Sequence, residues 1–84
     1  MTDDDLTWAL TVWRDPYRHD PEIVQKATSI VRYWRVEMKG ELRGVPRNSE
    51  EYRQKKLAEE RLEAATIDLN EAWMTQLSAR KHGG

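Results

Sequence analysis

Thr2-Asp3-Asp4-Asp5-Leu6-Thr7-Trp8-Ala9-Leu10-Thr11-Val12-Trp13-Arg14 is the stretch whose reading decides the fold. Thr2 followed by three acids has the form of a helix N-cap with negative charge in the first turn. Leu6, Ala9, Leu10 and Trp13 then recur at helical spacing. The same residues admit a second reading. Leu6, Trp8, Leu10 and Val12 alternate with Thr7, Ala9 and Thr11, and β-branched and aromatic residues suit a strand. The rest of the chain offers no evident strand to pair with, which favours the helix. A strand here would need its partner from another chain.

The next element is less ambiguous. Asp20-Pro21-Glu22 combines an N-cap, a first-turn proline and a first-turn acid. Ile23, Val24, Ala27, Ile30, Val31, Trp34 and Met38 then form one apolar stripe, so a helix is predicted over about 21–39. Gly40 is its expected stop. Residues 40–48 contain two glycines and a proline and are expected to form a loop. Asn48 or Ser49 caps a long helix over about 49–80, with Asn48 and Glu51 spaced as a capping box and Lys81 beside the C-terminus.

Within that helix Ala58, Ala65, Ala72 and Ala79 recur every seven residues, and Leu62 and Leu69 fill the alternate positions. A seam of small residues lets another helix approach closely. The expected architecture is therefore all-α. Helices 21–39 and 49–80 form an antiparallel hairpin, with a short N-terminal helix (alternatively a strand) packed on it, in a single small domain spanning 1–84. With a strand in first place, the element order resembles that of a ribbon-helix-helix repressor. The strand carries no basic residue, however, Asp3–Asp5 oppose phosphate, and the last helix is longer than that family needs.

Trp13, Trp34 and Trp73 each fall on an apolar stripe and are expected to share one core, filling it in a chain with no Phe. Leu77, Met74 and Ile67 widen the apolar arc of the long helix beyond Leu62, which predicts contact on two sides. Residues 50–61 are mostly polar and have little to bury. They are expected to project or to meet something outside the fold. Trp8 and Val12 lie off the first helix's stripe, so they are expected to be exposed as a protein-binding anchor, with Tyr52 and Leu57 on the polar stretch as further candidates.

The 84 residues carry 14 bases and 15 acids, a net charge of -1, and that balance is uneven. Residues 1–22 hold six acids and two bases, whereas residues 32–56 hold eight bases and four acids. Such a pattern suits self-complementary packing or a basic patch. Arg32, Arg35, Lys39, Arg43, Arg47 and Arg53 are the candidate phosphate contacts of a nucleic-acid-binding alternative.

Catalytic chemistry finds no support in the sequence. No Cys is present, so thiol nucleophiles, disulfides and Cys-based zinc sites are excluded. Neither His19 nor His82 has a Glu three residues before it, as di-metal bundles require. Glu59 and Glu63 fit a solvated helix face. There is no phosphate-binding glycine loop and no G-x-S-x-G elbow. No cofactor, metal or small-molecule substrate is implied. Apolar runs do not exceed three residues, and the acidic N-terminus is unlike a secretory signal, so a cytoplasmic protein without a membrane span is expected. The functional expectation is a non-catalytic adaptor, inhibitor or assembly factor that binds protein, self-association included. In style it is similar to accessory proteins of phages and plasmids.

Overall fold

The computed structural model describes residues 1–83 and is all-helical. The first helix, α1, spans Asp3–Arg14; the second, α2, spans Pro21–Leu42; the third, α3, spans Glu50–Gly83. A single turn of 3-10 helix at Pro16–Arg18 links α1 to α2. α2 and α3 pack as an antiparallel hairpin, and α1 lies mainly against α2. The strand alternative for residues 6–12 is thereby excluded.

Local chemistry accounts for α1. Thr2 and Asp5 form a reciprocal capping box: the Asp5 amide donates to Thr2 Oγ1 at 3.3 Å, and the Thr2 amide donates to Asp5 Oδ2 at 3.0 Å. The bond from the Thr2 amide, helped by the Thr2 hydroxyl, holds the Asp5 carboxyl below its ordinary pKa. At the start of α2, Asp20 occupies the cap position with extended backbone but makes no side-chain cap bond. Pro21 supplies a helical φ there.

α2 runs three residues past its expected end. Among the described residues no glycine adopts positive φ, and an added Cβ on Gly40 meets nothing within 4 Å. Without a left-handed residue there is no stop, so the helix continues to Leu42. It closes through bonds from the Arg43 amide to Gly40 O and from the Gly44 amide to Glu41 O. Ser49, not Asn48, begins α3. Its Oγ accepts from the Tyr52 amide at 3.1 Å and donates to Pro46 O at 2.7 Å. Lys81 lies outside the residues whose side chains are described.

The core consists of Ala9 and Val12 from α1, Val24, Ala27, Ile30 and Val31 from α2, and Leu62, Ala65, Leu69 and Ala72 from α3. The alanine–leucine seam of α3 therefore faces α2, where small side chains permit close packing. Trp13, Trp34 and Trp73 all pack against this cluster. Every buried apolar side chain among the described residues lies in α1, in 21–31 or in 62–72. That end of the rod is the three-helix half. The other end, α2 beyond Val31 and α3 before Leu62, is a two-helix half.

Candidate interaction surfaces

α1 has only 12 residues against 22 in α2, so its length fixes what it can cover. It reaches α3 through side chains: the Trp13 indole N–H donates to Asp68 Oδ2 at 2.9 Å, and the Arg61 guanidinium stands 5.9 Å from the Trp13 ring centroid. Gln76 adds a bond to Pro16 O at 3.0 Å.

This placement corrects one expected site residue. Val12 is buried, not exposed, because the inward face of α1 is centred on Ala9 and extends toward Val12. Trp8 lies at the edge of α1, 37% exposed, with the Lys26 ammonium 5.5 Å from its ring centroid. A cation on the indole face covers part of the expected anchor. Ile67 and Met74, expected to be enclosed on a second side, are instead 58% exposed, because α1 does not extend around α3 to reach them.

Among the described residues the two-helix half has no fully buried apolar side chain; Trp34 and Met38 are partly buried there, and ion pairs join the helices. The Glu59 side chain is only 2% exposed, which overturns its reading as part of a solvated face. Its Oε1 accepts from Arg35 Nε at 3.3 Å and its Oε2 from Lys56 Nζ at 3.4 Å. Burial pushes the Glu59 pKa up, but the bonds from Arg35 and Lys56 and the nearby Lys39 charge outweigh it. The carboxyl is held below its ordinary value. Arg35 also reaches Glu63 at 3.5 Å, and Lys55 pairs with Glu41 at 3.2 Å. Nothing in the sequence pattern alone marks Glu59 as buried; its position one residue from Ala58 on the seam was the available signal.

These pairs sort the basic candidates. Arg35 is committed to Glu59 and Glu63 and cannot serve as a free phosphate contact. Arg32, Lys39, Arg43, Arg47 and Arg53 are exposed and form no ion pair among the described residues. Arg47 and Arg53 meet Tyr52, Lys56, Leu57 and Glu60 around one shallow depression beside the α2–α3 connection. Tyr52 and Leu57 are thus brought together, with Leu57 66% exposed. Trp8 lies elsewhere, on α1 in the three-helix half. A second apolar depression lies between Trp73, Met74 and Leu77 near the other end of α3. The Trp34 indole N–H is buried without a partner, and the Tyr33 ring meets the Trp34 ring edge-on at 5.9 Å.

No helix of the described residues is long and apolar enough to cross a membrane. Comparison with family models, curated proteins and solved structures returns no match.

Proposed function

We propose that this chain is a non-catalytic, cytoplasmic interaction protein, an adaptor, inhibitor or assembly factor that works by binding protein, self-association included. One observation carries the reading: large apolar side chains stand exposed on the two-helix half, where little core lies beneath them. Leu57 is 66% and Val36 63% exposed, and Tyr52 and Leu57 share a depression with Arg47 and Arg53. Contiguous apolar surface edged by arginine is typical of protein contact sites. The test is capture from a host lysate on immobilised wild type and on Leu57→Asp. The reading expects a protein retained by the wild type and lost with the substitution. Retention of nothing, or retention indifferent to Leu57→Asp, contradicts it.

A second reading rests on the exposed, unpaired cations Lys39, Arg43, Arg47 and Arg53. These are placed to meet phosphates, and binding through them weakens steeply with salt. It expects DNA or RNA retention at about 50 mM salt that Arg43→Glu with Arg47→Glu abolishes. No retention by the wild type eliminates it.

A further inference from the structure

The outward face of α3 carries a second seam. Leu57, Glu60, Ala64, Ile67, Glu71, Met74 and Ser78 follow one another at alternating spacings of three and four, with Arg53 four residues before Leu57. All eight are exposed. The core seam through Ala58, Leu62, Ala65, Leu69 and Ala72 has the same alternation. The two lie about 140° apart around the helix at about 100° per residue. α3 therefore carries two helix-pairing seams, and the fold covers only one of them. Alternation of three and four along a straight helix is the pattern by which helices pair knobs-into-holes.

We propose that the outward seam pairs with the same seam of a second copy, antiparallel, about a two-fold axis crossing α3 beside Leu62. This rests on the protein-binding reading above and names its partner. In this register Arg53 of each chain stands opposite Glu71 of the other. Leu57 stands opposite Ile67, and Glu60 opposite Ala64. The apolar pair and the ion pair each occur twice, as a two-fold axis requires. Other arrangements are disfavoured. Sliding one heptad in one direction puts Glu60 against Glu71; sliding the other way puts Leu57 against Glu60. A parallel, in-register pair puts Arg53 on Arg53, Glu60 on Glu60 and Glu71 on Glu71. Facing carboxylates disfavour the first slide, a carboxylate against a leucine the second, and like charges face to face the parallel pair.

The surface area points the same way. The chain exposes 6102 Å². A compact monomer of its mass exposes about 5,200 Å². The excess is about 900 Å², surface that an elongated hairpin leaves open to a partner where a compact domain would not. The 14.8 Å radius of gyration agrees: a compact domain of this length has about 12 Å.

Sedimentation equilibrium of the full chain at about 10–100 μM tests the pairing. The wild type is expected at twice the 9.9 kDa of one chain, and Ile67→Asp as a monomer with unchanged helical circular dichroism. Arg53→Glu and Glu71→Arg each place two like-charged pairs in the dimer. Each is expected to raise its Kd at least about tenfold. The double variant, Arg53→Glu with Glu71→Arg, restores opposite charges and is expected within about threefold of wild type. A wild type that stays monomeric at about 100 μM overturns the pairing. So does a dimer indifferent to Ile67→Asp, or a double variant as weak as the single ones. A monomeric wild type overturns self-pairing alone, since capture of another protein dependent on Leu57 still upholds the wider reading.

Discussion

The three-helix half and the two-helix half of this rod are held by different forces. In the first, α1 closes over α2, and Val12, Val24, Val31 and Leu69 are buried with little or no exposure. In the second, no third helix is present, Trp34 and Met38 are only partly buried, and the ion pairs between the helices among the described residues are Arg35–Glu59, Arg35–Glu63 and Lys55–Glu41. Apolar burial is non-directional and accumulates with area, whereas ion pairs fix geometry and contribute little net stability when half exposed. The packed half therefore holds the fold, while the charged half sets the register of the hairpin and leaves apolar surface outward.

The contrast is broken most severely in the packed half. Leu69→Ala removes the largest fully buried side chain and is expected to lose about 3–4 kcal/mol, read as a lower urea midpoint. For a chain this small that is a large part of the total stability. In the charged half, Glu59→Gln leaves Arg35 and Lys56 facing a neutral amide. Because both partners retain some exposure, the expected loss is about 2–3 kcal/mol, below that of a fully enclosed pair.

That loss has a pH signature. The folded Glu59 pKa lies below the ordinary glutamate value of 4.5. Its stabilisation is therefore complete above that value and is lost as pH falls through the lower folded value. Thermal melts of wild type and Glu59→Gln should differ most near neutral pH and converge in acid. A constant difference down to pH ~2 would contradict the ionised buried carboxylate.

Gly40→Ala acts in the opposite direction. The position is helical and the space around it is open, so the substitution is expected to stabilise by about 0.5–1 kcal/mol, seen as a rise in melting temperature. The smallest expected effect is at Leu57. Leu57→Ala should change monomer stability by no more than about 0.5 kcal/mol in the same urea titration that exposes Leu69→Ala. A loss comparable to that of Leu69→Ala would show that the two halves are packed alike.

Much of this division is legible in the sequence. The heptad of alanines predicts the hairpin seam, and the polar composition of 50–61 predicts an underfilled end. The capping residues locate the start of α1. What eluded the sequence has physical reasons. Leu6, Ala9 and Trp13 define the middle of the α1 stripe but not which flank joins it, so periodicity alone sets Val12 outside a face that buries it. Gly40 reads as a stop only if its backbone turns left-handed, and here it stays helical, with open space where a side chain would stand. Glu59 looks solvated until Arg35, 24 residues away, arrives beside it. Ile67 and Met74 suit a second packing face, but the 12 residues of α1 lie against α2 and do not reach it.

Native-state hydrogen exchange, at a concentration low enough to hold the chain as a monomer, tests the division most directly. Amides of 33–42 and 50–60 are expected to open at lower free energy than those of 24–31 and 62–72, which should approach global unfolding. Equal protection along both helices would contradict the account, since it would mean that the charged half is held as firmly as the packed one.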